Sequence, residues 1–220
     1  MTKQISPSLM CCDFLNLKPQ IDAFKQYGIE YLHIDVMDGA FVPNYALGVD
    51  FIKQLKAYTD IPLDIHLMIE NTDVKLQNIP FGENDIVSVH YETTKHLQRA
   101  LTEIKKRGAK PFVAINPATP LCVIEEVLDD IDGVLLMTVN PGFAGQKLIP
   151  STIKKIEKLK NLLNNVNKKI LIEVDGNVSF ENAKIMSLAG ANIFVAGTSS
   201  VFKSSDLADG INKLRQAIKI

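Results

Sequence analysis

The chain has 220 residues, and its 46% apolar content supports one sizeable core, while a formal net charge of −1 excludes the basic excess of a nucleic-acid binder. No apolar run reaches the length of a membrane span, and the opening Met-Thr-Lys-Gln-Ile-Ser-Pro lacks the apolar stretch of an export signal. Cys11, Cys12 and Cys122 are odd in number and form no Cys-x-x-Cys pair, so a reducing cytoplasm is the expected compartment.

Along the chain, short β-branched apolar runs alternate with segments of helical periodicity. Strands are predicted at 4–9, 31–36, 63–67 and 86–90, then at 111–115, 133–139, 170–174 and 193–196. Most are nearly continuous in apolar residues, as in strands buried on both faces of a parallel sheet. Between them, Leu97, Leu101 and Ile104 mark one helical stripe, Ile153, Ile156, Leu159 and Leu163 a second, and Leu207, Ile211, Leu214 and Ile218 a third. Ser151 and Ser179 are expected N-caps. Eight such repeats with no dividing linker predict an α/β fold, a closed (β/α)8 TIM barrel forming a single domain over residues 1–220. The competing architecture is an open doubly wound sheet, but no Gly-x-Gly-x-x-Gly follows the first strand.

Four residues at strand ends suggest the chemistry. His33 and Asp35 stand in Leu-His-Ile-Asp-Val-Met-Asp-Gly, His66 in Leu-Asp-Ile-His-Leu-Met, and Asp175 in Ile-Glu-Val-Asp-Gly. Residues i and i+2 of a strand face one side, so His33 and Asp35 aim at one point. All four are expected at the C-terminal rim, where barrel enzymes do their chemistry. A lone histidine there is ordinarily structural, and a lone Asp before Gly is ordinarily a turn former. Together they are costly to bury unless paired or metal-bound. Two imidazoles and two carboxylates make a ligand set for one divalent cation. The two carboxylates can also move protons at a carbon beside a carbonyl.

Glycine-bearing loops follow the last three strands: Asn140-Pro-Gly-Phe-Ala-Gly-Gln146, Asp175-Gly-Asn177 and Gly197-Thr198-Ser199. One such turn is commonly structural. Three on adjacent strands, facing a metal set, form the usual phosphate seat of this architecture and point to a sugar phosphate. Met10, Met37, Met68 and Met137 fall at or just past strand ends, either as core fillers or as thioethers that exclude water from the site. Asp38 and Asp64 are candidates to orient His33 or His66, Asp38 equally a turn residue before Gly39. His90 and His96 carry no motif and read as structural or exposed.

These stretches, with Phe41-Val-Pro-Asn44, Asn116-Pro-Ala-Thr-Pro120 and Met137-Thr-Val-Asn140, resemble the ribulose-phosphate 3-epimerase family from about residue 5 to residue 202. The resemblance implies inversion at C3 of a ketose phosphate, D-ribulose 5-phosphate to D-xylulose 5-phosphate, through an enediolate. It implies one divalent ion (zinc first among zinc, iron, manganese and cobalt) on His33, Asp35, His66 and Asp175. Asp35 and Asp175 then lie on opposite faces of the sugar, Asp35 taking the C3 proton and Asp175 returning one, with the roles exchanged in reverse. Phosphate or sugar contacts are implied at Gly142, Phe143, Ala144, Gly145, Gly176, Asn177, Gly197 and Thr198, and substrate contacts at Ser8 and His66. The resemblance also draws the four methionines to the site, and assembly as a homo-oligomer is expected from the exposed faces of barrel helices.

Ala40, Asn177 and Thr198 stand where the commonest pentulose enzymes carry His, Gly and Ser. The Ser8-Leu-Met-Cys-Cys-Asp13 stretch and Ile172-Glu-Val-Asp-Gly-Asn177 are closer to the D-allulose-6-phosphate 3-epimerases, so D-allulose 6-phosphate to D-fructose 6-phosphate is the alternative substrate pair. A non-catalytic sugar-phosphate-binding barrel is the alternative of another class, against which the intact acid pair speaks. Decarboxylases on similar barrels use an Asp-x-Lys-x-x-Asp array that Asp64-Ile-His-Leu-Met lacks.

Overall fold

The structure is a computed structural model and describes residues 2–166, 168–204 and 206–219. Among them run nine strands: β1 (Gln4–Pro7), β2 (Leu32–Asp38), β3 (Tyr45–Ala46), β4 (Leu63–Met68), β5 (Ile86–His90), β6 (Lys110–Ile115), β7 (Gly133–Met137), β8 (Leu171–Asp175) and β9 (Ile193–Ala196). Their order in the sheet is β1-β9-β8-β7-β6-β5-β4-β2-β3. Every pair is parallel except the short β2–β3 pair. A parallel bridge between Ser8 and His33 joins β1 to β2 and closes the ring. The result is the expected (β/α)8 barrel, with strand ends shifted by at most two residues and β3 added as an antiparallel flap.

Helices α1 (Leu17–Gln26), α2 (Val49–Tyr58), α3 (Thr72–Lys75), α4 (Leu97–Lys106), α5 (Ser151–Leu163), α6 (Phe180–Ala189) and α7 (Leu207–Ile218) wrap the outside. The helical stripes do what their period requires: Leu101 and Ile104, Ile156 and Leu159, and Ile211 and Leu214 are wholly buried against the strands. Two crossovers depart from a full helix. The β4–β5 link holds four-residue α3 and a 3-10 turn, Leu76–Asn78, and the β6–β7 link a 3-10 helix, Leu121–Val127. Pro120 enters that segment extended, at φ −71° and ψ 155°, which delays helical geometry until few residues remain.

The two expected caps divide. Ser179 caps α6, its hydroxyl accepting from the Asn182 amide at 3.1 Å. Ser151 does not cap α5: Pro150 is already helical at φ −59° and ψ −30°, so the helix begins one residue early.

The barrel interior is layered. Tyr31, Ile86, Phe112 and Ile193 seal the bottom as an apolar cluster. Above them lie Ser6, His33, Asp64, Ser88 and Glu173, each 0% exposed. This polar middle layer demands internal partners, because buried polar groups are stable only when hydrogen-bonded or charge-compensated. The next layer up carries the candidate site.

Candidate active site

Strand alternation and register build the site. In the β2–β4 pairing His33 stands beside Asp64 and Asp35 beside His66. In the β7–β8 pairing Leu135 stands beside Glu173 and Met137 beside Asp175. Members of each pair share a face, and i and i+2 residues share it too, so all of these side chains enter the barrel.

The four expected ligands meet. One donor atom from each of His33, Asp35, His66 and Asp175 lies within 4.8 Å of all the others. His33 Nε2 is 3.3 Å from Asp35 Oδ1 and 3.9 Å from Asp175 Oδ2, while His66 Nδ1 is 3.4 Å and 3.6 Å from the same two oxygens. Ligands at the zinc–nitrogen and zinc–oxygen distances of a tetrahedral site stand about 3.3–3.4 Å apart. Both facing nitrogens, His33 Nε2 and His66 Nδ1, are buried and lack a hydrogen-bond partner. Nitrogens orphaned in this way inside a barrel fit a cation ligand set.

His33 and Asp35 are oriented from behind. His33 Nδ1 donates to Asp64 Oδ2 at 2.6 Å, which leaves Nε2 for the site, and Ser6 Oγ donates to the same oxygen at 2.8 Å. Ser8 Oγ donates to Asp35 Oδ2 at 2.7 Å, so Oδ1 is the oxygen turned toward the histidines. Asp38 takes the turn role instead. It accepts from the amides of Ala40 and Glu70 at 3.0 Å each and from Lys75 Nζ at 2.6 Å, tying the loops after β2 and β4 together.

Burial and neighbouring charges separate the two aspartates. Burial pushes the Asp35 carboxyl upward, but the imidazoles of His33 and His66 overcome it and hold the group well below the usual carboxylate range. Burial, then the charge of Asp35, pushes Asp175 up to about 6. Burial opposes a charge on His33, yet Asp64 and Asp35 keep its pKa well above the ordinary imidazole value. Burial and then the charge of Asp64 raise Glu173 well above a normal glutamic acid.

A pocket opens above these groups. Asp35 and Asp175 sit at its base with Ser8, Met10, Met37, Met68 and Met137, and His33 and His66 lie wholly buried beneath it. Gly142, Phe143, Ala144, Gly145, Gly176, Asn177, Gly197 and Thr198 are among the residues that line the rest. No lysine or arginine lines it among the described residues. The loops are shaped for backbone exposure: Gly142, Gly145, Gly176 and Asn177 have φ of 117°, 79°, 119° and 47°. Asn177 tolerates the left-handed region better than most residues and uses its side chain as a tie, donating to the Gln146 carbonyl at 2.6 Å.

Sequence reading passed over two buried groups. Glu173 stands two residues before Asp175, so the same alternation that paired His33 with Asp35 would have placed it inside. Of the two readings open for His90, structural or exposed, the buried one holds: it is 0% exposed, and its Nε2 lies 2.8 Å from His66 Nε2, a contact no motif signals. Burial pulls His90 down to about 4, so it is neutral at pH 7. His96 is exposed, as expected.

Comparison with known proteins shows the family. The family model described as Ribulose-phosphate 3 epimerase family matches residues 4–202. The chain is 46% identical over 213 residues to a ribulose-phosphate 3-epimerase of Bacillus subtilis, covering 96% of this chain and 98% of that one. It is 41% identical over 214 residues to that of Methanocaldococcus jannaschii, covering 97% and 90%, and 44% identical over 213 residues to the chloroplastic ribulose-5-phosphate-3-epimerase of Arabidopsis thaliana, covering 96% and 75%. Among solved structures, 3-hexulose-6-phosphate synthase of Salmonella typhimurium aligns with a TM-score of 0.64 at 18% identity, covering 98% of each chain. Orotidine 5'-phosphate decarboxylase of Pyrococcus horikoshii aligns at 0.65 and 16%, covering 98% of this chain and 99% of that one. These two likenesses concern the barrel alone.

Proposed function

The chain belongs to the ribulose-phosphate 3 epimerase family and is an isomerase, and from that premise we propose that it interconverts D-ribulose 5-phosphate and D-xylulose 5-phosphate with Asp35 and Asp175 as the acid–base pair. The observation that carries the reading is the meeting of four strand-end side chains at one point, with two unpartnered buried imidazole nitrogens, below a pocket ringed by glycine loops.

In the forward direction Asp35 takes the proton from C3. The C–H electron pair moves into the C2–C3 bond, and negative charge collects on the C2 oxygen as an enediolate. Asp175 then delivers a proton to the opposite face of C3, the ketone re-forms, and the centre is inverted. The reverse reaction exchanges the two roles. β2 and β8 stand three places apart around the ring, which supports approach from different sides.

His33, Asp35, His66 and Asp175 would hold a divalent ion, zinc first. When bound, that ion supplies positive charge that stabilises the developing enediolate, the help a bare carboxylate needs against a carbon acid. Ser8 keeps Asp35 oriented, and the four methionines exclude water from the reacting carbons. The phosphate is bound by backbone N–H groups of the loops after β7, β8 and β9, since no cationic side chain lines the pocket. The chain works in the cytoplasm as a homo-oligomer in this reading; wholly exposed Leu15 beside Phe14 supports the latter, and light scattering measures it. No helix among the described residues is long and apolar enough to cross a membrane.

The decisive experiment incubates the zinc-loaded chain with ribulose 5-phosphate in D2O and follows deuterium at C3 alongside xylulose 5-phosphate formation. D-allulose 6-phosphate is run beside it at equal concentration. Faster turnover of the hexulose moves the substrate to six carbons. No exchange with either sugar leaves a binding barrel in place of an enzyme.

A further inference from the structure

We infer that His90 and Glu92 are positioning residues that lock His66 in the one tautomer able to present Nδ1 to a cation; the inference rests on the metal reading above. His66 Nε2 faces His90 Nε2 at 2.8 Å, and His90 Nδ1 faces Glu92 Oε2 at 3.0 Å. The two rings lie 28° from coplanar with centroids 5.0 Å apart. That separation exceeds the nitrogen gap by about a ring's width, so the rings meet edge to edge along a hydrogen-bond line. Glu92 is itself gripped: its Oε1 accepts from the Asn116 amide at 2.9 Å and from the Thr119 hydroxyl. The ring of His90 is held by Phe41, at 4.7 Å between centroids, and its carbonyl accepts from Thr94 Oγ1 at 2.7 Å.

Proton bookkeeping then fixes the direction of the line. A neutral imidazole has one N–H, so of two facing nitrogens one donates and the other accepts. A cation on His66 Nδ1 needs the lone pair there, which places the His66 proton on Nε2 and requires His90 Nε2 to accept. The His90 proton then lies on Nδ1, where it donates to Glu92. The opposite arrangement would set a His90 lone pair against a carboxylate oxygen 3.0 Å away and turn the His66 N–H into the site. Glu92 therefore decides which nitrogen His66 offers. Metal-ligating histidines commonly donate straight to a carboxylate or carbonyl. Here a second imidazole is interposed, and the orienting carboxylate stands on the loop after β5, braced by the loop after β6.

The test is cation affinity, measured on metal-free chain by zinc titration against a competing chelator, with folding followed by thermal melting. His90→Leu fills similar space but offers no acceptor, and affinity is expected to fall by about 10–100-fold. His90→Gln restores an acceptor at the same reach and is expected to recover most of that loss. Glu92→Leu, at a side chain 21% exposed, removes the terminal acceptor and is expected to weaken binding in the same direction should His90→Leu fail to fold. In zinc-loaded, 15N-labelled chain the His66 proton is expected on Nε2. A folded His90→Leu or Glu92→Leu chain that binds zinc as tightly as the parent, or a His66 proton found on Nδ1, overturns the inference. A parent chain that takes up no cation overturns the metal reading and this inference with it.

Discussion

His33 Nδ1 stands 2.6 Å from Asp64 Oδ2, both side chains wholly buried inside the barrel. The contact follows from register alone, since His33 and Asp64 are direct partners across β2 and β4. Through His33 Nε2, the contact ties the polar middle layer to the point where the four candidate ligands meet. One strand pairing thereby sets the tautomer of a metal-candidate histidine.

Asp64→Ala should therefore weaken both fold and ion binding. The substitution strands the His33 N–H and the Ser6 hydroxyl without an acceptor, each in a place water does not reach. An unsatisfied buried group costs about 1–3 kcal/mol, and loss of a carboxylate behind a ligating histidine lowers ion affinity about 10–100-fold. Urea melts and zinc titration measure the two effects separately. Unchanged zinc affinity in a folded variant would remove Asp64 from the site.

Asp35→Asn and Asp175→Asn should differ in what they leave behind. Both are expected to reduce epimerisation of ribulose 5-phosphate by about 10²–10⁴-fold, the usual share of a general acid or base. With the cation saturating, Asp175→Asn keeps the forward base, so C3 of ribulose 5-phosphate should still take up solvent deuterium without inverting. Asp35→Asn should lose that exchange. Equal exchange in both variants would contradict the assigned direction.

Much of this site is readable from the sequence because strand alternation is rigid and the candidate ligands lie at strand ends. His33, Asp35, His66 and Asp175 needed only the period of two and the closure of the ring. Ser151 is not the cap that the local rule predicts, because Pro150 before it already has helical geometry, and such a rule cannot tell which of two adjacent residues starts a helix. His90 escaped for a different reason. Its importance lies in a contact between strands, where the β4–β5 register sets His66 beside Ser88 and brings His90 alongside one step further up. Neither periodicity nor a motif within one segment encodes that. The short crossovers after β4 and β6 likewise depend on how much chain the barrel geometry leaves for them.

Ion binding should weaken as pH falls. In the cation-free protein Asp175 holds its proton up to about pH 6, against an ordinary 3.8. A raised carboxyl pKa means the folded state binds this proton more tightly than the unfolded state. Its contribution to cation-free stability is thus fully present below 3.8 and is lost as pH rises through about 6. A cation competes with that proton for the Asp175 carboxylate, so zinc affinity at pH 5 should lie about tenfold below its value at pH 7.5 from this group alone. Calorimetric titrations in two buffers of different ionisation enthalpy report the released proton. An affinity unchanged between those pH values would show that Asp175 is not a ligand.

Gly176→Ala should damage the phosphate end while sparing the metal set, and comparison with Gly145→Ala separates two causes. Both glycines have φ in the range that side-chain-bearing residues rarely adopt, 119° and 79°. A Cβ at Gly145 meets nothing within 4 Å, whereas one at Gly176 would lie 2.8 Å from the Val139 amide nitrogen. Gly145→Ala then carries only the backbone penalty, about 1–2 kcal/mol. Gly176→Ala adds overpacking of about 1–3 kcal/mol and must push apart the loops after β7 and β8. Those loops are tied by Asn177 to Gln146 and by the Thr138 hydroxyl to the Asp175 carbonyl at 2.9 Å, so the displacement reaches both sides of the pocket. KM for ribulose 5-phosphate should rise more for Gly176→Ala than for Gly145→Ala, with zinc affinity close to the parent's in both. A Gly176→Ala chain with the parent's melting temperature and KM would mean that the two loops separate without cost and that their backbone does not hold the phosphate.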